Sequence, residues 1–281
     1  MKVFTSHEDL NYCLSEYRSG GLTIGFVPTM GALHAGHISL IKKSTGQNKV
    51  SVVSVFVNPR QFNDSNDFTN YPRNISADIK LIEAAGCEFV YTPDYQDLFP
   101  TEDSLEFDFN GLDKVLEGAY RPGHFQGVVD VVHALFKAVR PNNAYFGLKD
   151  YQQLKIIQLL ASQFHPKTNI IPCPIIREPD GLAMSSRNQR LQPDERKAAA
   201  MIPKILMESA AFTGNHSVAE LKANIVSRFN KAEGLKLEYA EICNSDNLEA
   251  IDSGNPAKGN LLLVAVWCNK IRLIDNIYLN S

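Results

Sequence analysis

Residues 21–37 read GLTIGFVPTMGALHAGH. Gly21 to Thr29 is an apolar run that suits a buried strand, with Pro28 marking a turn at its end. From His34 the period changes. Ile38, Leu40 and Ile41 fall on one helical stripe, so His34 to Ser44 reads as a helix. Strand, tight turn, helix is the opening of a βαβ unit, and the sequence downstream repeats it. Val50 to Val57 (VSVVSVFV) is nearly continuous and β-branched, as in a parallel strand buried on both faces, and Asn58-Pro59 stops it. Ser76 opens a helix through Ala85 that Gly86 closes, and Cys87 to Thr92 is another strand.

The alternation continues. Residues 94–123, rich in Gly, Asp and Pro, read as a surface loop or flap. Val128, Val129, Val132, Leu135, Phe136 and Val139 recur at helical spacing, which makes 125–139 an amphipathic helix ended by Pro141. Ala144 to Gly147 is a short strand and Tyr151 to Phe164 a helix. Asn169 to Ile176 is a strand whose two prolines place it at a sheet edge. The result is an α/β fold with parallel strands and right-handed crossovers. After residue 177 the pattern changes. Asp194 to Phe212 is a helix, and Ser217 with Glu220 forms a capping box opening another to Ala232. Lys236–Cys243, Leu261–Cys268 and Lys270–Tyr278 are strand-like, giving a smaller α+β C-terminal domain. The domain reading is therefore 1–177 and 178–281. No internal repeat is visible.

The 281 residues are 44% hydrophobic and 21% charged, enough apolar surface for a sizeable core. A net charge of -3 argues against broad nucleic-acid or anionic-membrane binding. Cys13, Cys87, Cys173, Cys243 and Cys268 are odd in number and widely spaced, so they read as reduced core thiols rather than a disulfide framework or zinc set. The N-terminus shows no secretory signal and no apolar run is long enough to span a bilayer, which points to the cytoplasm.

Ligands of open parallel sheets sit beyond the carboxyl ends of the strands. After the first strand comes Pro28-Thr29-Met30-Gly31-Ala32-Leu33-His34-Ala35-Gly36-His37. Two histidines three apart share one face of a helix start, together with free N–H groups and the positive end of the helix dipole. That is an arrangement for phosphate. Two incidental surface histidines are the plain alternative. Zinc is a weak one, because no carboxylate or cysteine stands near. After the second strand, Asn58 and Gln61 are neutral donor-acceptors suited to a small ligand's hydroxyls and carboxylate. After the strand at 144–147 come Gly147, Leu148, Lys149 and Asp150, with Lys149 a phosphate donor at another helix start. A solvated Lys-Asp turn is the alternative there. The last strand leads to Met184-Ser185-Ser186-Arg187, two hydroxyls and an arginine suited to phosphate oxygens.

H-x-G-H with a late M-S-S-R resembles the nucleotidylyltransferase superfamily. PTMGALHAGH, FVNPRQF, YPRN, RPGHFQGV, FGLKDYQQL, REPDGLAMSSRN and KIRLIDN together resemble the pantothenate synthetase, or pantoate–β-alanine ligase, family from about residue 20 to the C-terminus. The resemblance implies a Rossmann-like doubly wound sheet with a small lid domain. It also implies ATP-dependent joining of pantoate to β-alanine through a pantoyl adenylate, with release of AMP and pyrophosphate. Magnesium accompanies ATP in that scheme. Its protein ligand is not evident, and Asp78 is the candidate.

Residue roles carry over by position. His34 and His37 contact ATP phosphates, with His37 the implied proton donor. Met30 to Gly36, Gly147 to Asp150, Ile176 and Met184 to Arg187 complete the nucleotide set. Gln61 and Gln153 hold pantoate. The motifs at 121–124 and 270–276 are assigned to structure, with a catalytic role for His124 the lesser alternative. Leu148 and Asp130 depart from the family's common residues, an acidic residue and threonine. A homodimer through the larger domain is implied, with the Val50–Val57 strand and its neighbours the candidate interface. The rivals are another nucleotidylyltransferase, which would leave AMP or CMP on its product, and an ATP-binding module without turnover. An aminoacyl-tRNA synthetase is disfavoured, because residues 178–281 leave no room for an anticodon-binding domain.

Overall fold

The computed structural model describes residues 1–211 and 216–279. Two compact units emerge. The first is Met1–Leu148 with Gln152–Pro174; the second is Ile175–Ser281 with the short segment Lys149–Tyr151.

The first unit carries a sheet of six strands, β1 (Lys2–Phe4), β2 (Ile24–Thr29), β3 (Val50–Val55), β4 (Phe89–Tyr91), β5 (Asn143–Gly147) and β6 (Asn169–Cys173). All pair in parallel, in the order β1-β4-β3-β2-β5-β6. The helices are α1 (His7–Ser19), α2 (Ala35–Gln47), α3 (Ser65–Thr69), α4 (Ile75–Ala84), α5 (Tyr95–Leu98), α6 (Leu116–Tyr120), α7 (His124–Val139) and α8 (Tyr151–Phe164).

The period-2 alternation of the strands explains why helices cover both faces. Phe26, Val52, Phe89 and Phe146 pack with Leu10 and Leu14 of α1, Val128 and Phe136 of α7 and Ile157 of α8. Val27, Val53, Val90 and Tyr145 point the other way, onto Leu40 and Ile41 of α2 and Ile82 of α4. The sheet is doubly wound, as the sequence implied, and β6 is an edge strand. From β2 the chain winds outward through β3 and β4, then returns to place β5 on the other side of β2. The strand order therefore reverses between β2 and β5, the switch point at which such sheets bind ligands.

In the second unit α9 (Pro193–Ala199), α10 (Met201–Ala211) and α11 (Val218–Lys231) accompany an antiparallel sheet of β7 (Leu235–Asn244), β8 (Asn260–Cys268) and β9 (Ile271–Tyr278). Leu206, Leu221 and Phe229 of the helices pack on Ile242, Val264 and Leu273 of the sheet. The Ser217–Glu220 capping box opens α11 as read from the sequence.

Several expectations are corrected. β1 and α1 precede the first strand read from the sequence. Helix α4 is capped by Asn74, whose side chain accepts from Ala77 N, and not by Ser76. The loop at 94–123 contains two short helices, α5 and α6. The helix expected over 194–212 is two helices meeting at Ala200, and Phe212 lies outside the described residues. The strand offered as a dimer interface is interior: β3 lies between β4 and β2, and Val50, Val52 and Val53 are at most 1% exposed. Four of the five free cysteines are buried and Cys13 is partly so. No helix among the described residues is long and apolar enough to cross a membrane.

Candidate active site

The turn after β2 is shaped by two residues with left-handed backbone, Gly31 (φ 81°) and Ala32 (φ 50°). Thr29 Oγ1 begins it, donating to Ser54 O at 2.7 Å and accepting from Gly31 N at 3.2 Å. Asp78 of α4 completes it. Its Oδ2 accepts from Ala32 N at 2.9 Å and its Oδ1 from Leu33 N at 2.8 Å. The carboxylate is 3% exposed. A Cβ on residue 31 would stand 2.9 Å from Asp78 Oδ2, so glycine is needed for the approach as well as for the φ. The candidate magnesium ligand thus braces the backbone of the 30–33 turn.

His34 and His37 form a reciprocal box at the start of α2. His34 Nδ1 accepts from Gly36 N at 3.2 Å, and His37 Nδ1 accepts from His34 N at 3.3 Å. The rings lie 4.1 Å apart between centroids. An Nδ1 that accepts a backbone N–H leaves the proton of a neutral imidazole on Nε2. Both rings are therefore set as Nε2–H donors beside the N-terminus of a 13-residue helix, where backbone N–H groups and the helix dipole favour an anion.

Gln61 ends the short turn Pro59–Gln61 after β3. Its Nε2 lies 2.9 Å from Met30 Sδ, so the candidate pantoate residue and the candidate nucleotide turn are neighbours. Asn58 is 1% exposed. Its Nδ2 donates to Gly127 O at 2.9 Å and reaches Gln61 Oε1 at 3.3 Å, while its Oδ1 accepts from Arg60 N. Both ends of the Asn58 amide are thus committed within the protein. The RPGHFQGV motif holds the same turn from α7. His124 Nδ1 lies 2.7 Å from Gln61 O and His124 Nε2 lies 3.1 Å from Arg121. A carbonyl and a guanidinium on opposite sides select the Nδ1–H tautomer of His124. Arg60 stacks on Phe99 at 4.1 Å and bonds Tyr95 Oη, Glu102 and Asp130. Asp130, the departure noted in the sequence, also accepts from Leu105 N at 2.9 Å and ties the flap to α7. Gln153 lies in the first turn of α8, half-buried; its neighbour Gln152 is buried and bonds the 112–117 loop.

The other candidates belong to the second unit, apart from Gly147 and Leu148 at the end of β5. Lys149 Nζ lies 3.5 Å from Asp150. Ile176 O accepts from Met184 N at 2.9 Å, pinching the loop between them. Ser185 Oγ accepts from Arg187 N at 3.3 Å and opens the short helical turn Ser186–Arg190, with Ser186 buried. The base of the loop is braced by Arg196 of α9, which bonds both carboxylates of the REPDG turn, Glu178 at 2.7 Å and Asp180 at 2.7 Å. The Arg196 guanidinium holds the Glu178 carboxyl below its usual range. The sequence gives Arg121, Arg196, Asp275 and Asn276 no site role, offers His124 as a catalytic residue only as the lesser alternative to a structural one, and offers Asp78 only as a metal candidate. All but Arg196 lie in or just after motifs singled out above; what was missing was the partner each would meet.

Fold and site define a class: a doubly wound α/β protein whose anion- and acid-binding candidates follow the carboxyl ends of the sheet strands. A family model described as pantoate–β-alanine ligase matches residues 2–278. A pantothenate synthetase from Bacteroides fragilis is 47% identical over 99% of this chain and 98% of its own. The crystal structure of the Thermus thermophilus pantothenate synthetase superposes with a TM-score of 0.92 at 34% identity, covering all of both chains. A Francisella tularensis pantoate–β-alanine ligase, complexed with β-γ ATP and β-alanine, superposes with a TM-score of 0.81 at 36% identity over 100% of this chain and 98% of that one. The chain belongs to the pantoate–β-alanine ligase family.

Proposed function

We propose that this chain condenses pantoate with β-alanine at the expense of ATP, in the biosynthesis of pantothenate. The observation that carries the reading is the His34–His37 box, two imidazoles locked as Nε2–H donors beyond β2 at the strand-order switch. A carboxylate is a poor electrophile, and adenylation supplies a leaving group. A pantoate carboxylate oxygen attacks the α-phosphorus and the bond to the β-phosphate oxygen breaks, releasing pyrophosphate. The neutral β-alanine amine then attacks the acyl carbon, and AMP departs as the amine loses a proton.

His34 and His37 donate Nε2–H to phosphate oxygens on which charge grows; His37 serves mainly by this stabilisation. Met30 to Gly36, Gly147, Leu148, Asp150 and Ile176 form the adenosine and phosphate walls, and Lys149 with Ser185, Ser186 and Arg187 neutralises the leaving pyrophosphate. Gln61 and Gln153 hold pantoate, with Asn58 orienting Gln61. Magnesium would accompany ATP as its counterion on the phosphate oxygens and supply charge neutralisation there; Asp78, committed to Ala32 N and Leu33 N, would not hold it. Residues 1–177 hold nucleotide and pantoate, although Lys149–Tyr151 and the stretch from Ile175 group with the second unit, and 178–281 form a lid carrying the 184–187 loop. The enzyme works as a homodimer in the cytoplasm; light scattering tests the first.

Purified protein should form pantothenate only with ATP, Mg²⁺, pantoate and β-alanine together, and should exchange pyrophosphate into ATP with pantoate alone. ATP turnover that needs no pantoate would refute the assignment. His37→Ala and Lys149→Ala should each slow adenylation by about 10²–10³-fold with the fold retained. Gln153→Ala should raise the pantoate KM, and an unchanged KM would place this residue elsewhere.

A further inference from the structure

Lys149, Asp150 and Tyr151 are flanked on both sides by chain of the first unit, yet they group with the second. Strand β9 supplies two of the contacts, and Ser245 O, which accepts from Tyr151 Oη at 2.9 Å, supplies a third. Asn276 Nδ2 donates to Lys149 O at 2.9 Å, and the hydroxyls of Tyr278 and Tyr151 lie 3.1 Å apart. The residue before Asn276 reaches a second candidate segment. Asp275 takes the Arg177 guanidinium in a two-point grip, at 2.7 and 3.0 Å. Arg177 also donates to Gly181 O at 3.1 Å and to Asn276 O at 3.4 Å. Asn276 N closes the cluster on Asp275 Oδ1 at 2.8 Å.

Both residues are nearly inaccessible, Asp275 at 3% and Asn276 at 4%. A buried ion pair is a poor source of net stability, because desolvation offsets the Coulomb attraction. What a two-point Arg–carboxylate grip does supply is orientation. Here it orients the root of the 177–183 turn, which feeds directly into Met184 to Arg187. The adjacent amide fixes the main chain at Lys149. Neither side chain is among the candidates for touching substrate.

We infer that Asp275 and Asn276 are positioning residues for adenylation: two consecutive side chains of β9 hold the Lys149 backbone and the root of the Ser185–Arg187 loop in one frame. The inference rests on the reading above of Lys149 and of residues 184–187 as phosphate contacts. A lysine tethered only by its own flexible stem would have to find the phosphates anew at each turnover. Fixing its main chain shortens that search, and small misplacements of catalytic groups are costly in rate.

The test is pantoate-dependent pyrophosphate exchange in Asn276→Ala, Asn276→Ser, Lys149→Ala and the Asn276→Ala/Lys149→Ala double variant, each with a thermal melt. Serine is too short to reach Lys149 O and keeps the pocket polar, so it serves where alanine unfolds. Exchange should fall about tenfold or more in the Asn276 variants. The double variant should be no slower than Lys149→Ala alone, because Asn276 acts through Lys149. The pantoate KM should be unchanged, since Gln61 is held by separate contacts and Gln153 stands on α8, which Gln152 anchors to Leu112 O and Val115 O. Wild-type exchange in folded Asn276→Ala and Asn276→Ser, with Lys149→Ala slow, overturns this inference alone. So do losses that multiply in the double variant. Wild-type exchange in Lys149→Ala overturns both the inference and the reading of Lys149 beneath it.

Discussion

Asp78 shows how much one side chain can do without meeting a ligand. Its two oxygens answer two N–H groups in a turn that has no regular secondary structure to satisfy them. Asp78→Asn keeps the volume but turns one acceptor into a donor facing an N–H. The expected outcome is a loss of about 1–3 kcal/mol in urea unfolding, from one buried N–H left unmade, together with slower adenylation. An unchanged midpoint would mean the turn holds itself. The thiols give a second test at this scale. Burial pushes Cys87 and Cys243 each up to about 12, and burial also raises Cys173 and Cys268. Only the thiolate reacts with disulfide reagents. Those four thiols are also buried, whereas Cys13 is only partly so, and reagent titration of the native protein should find one fast thiol, Cys13, and four more only after denaturation. A fast thiol surviving in Cys13→Ser would contradict this.

At the level of elements, α7 and the turn after β3 are fitted backbone to backbone. A Cβ at Gly127 would stand 2.3 Å from Arg60 O, and neither main chain can yield cheaply. Gly127→Ala should cost about 1–3 kcal/mol of stability and raise the pantoate KM by displacing Gln61. Unfolding curves and initial rates read the two effects separately, and normal values of both would show the turn free to move. Helix ends were the least legible feature of the sequence. Asn74 and Ser76 are both good caps, and only the chain's path chose Asn74. The break at Ala200 had a local sign that went unused. Pro203 has no N–H to continue a helix from Ala199, but it fits the first turn of a new helix starting at Met201.

Across the whole molecule, stability should fall on acidification, partly through one histidine pair. His165 Nε2 and His133 Nδ1 lie 3.0 Å apart, where α7 meets the end of α8. Burial, then His133 and Lys137, lower His165 to about 4; burial and Lys137 lower His133. An imidazole in the unfolded chain titrates near 6.5, so below about that pH the unfolded state binds protons that the folded state refuses. The contribution is present at pH 7, declines as pH falls through about 6.5, and continues to decline toward pH 4. The melting temperature of His133→Gln/His165→Gln should be less sensitive over that interval than that of the parent. Parallel curves would show the pair to be neutral in stability.

The parallel sheet, its two covered faces, the edge placement of β6 and the turns that follow β2, β3 and β5 were all legible in the sequence. Each depends on local periodicity, on residues such as Pro and Gly that restrict or free their own backbone, or on motifs within about ten residues. What tertiary structure alone decided is which distant groups meet. Asp78 reaches Leu33 across 45 residues, Arg177 reaches Asp275 across 98, and Asn276 reaches Lys149 across 127. No periodicity encodes such pairs. A hydrogen bond forms or fails over a few tenths of an ångström, and that distance is set only when every intervening element has packed.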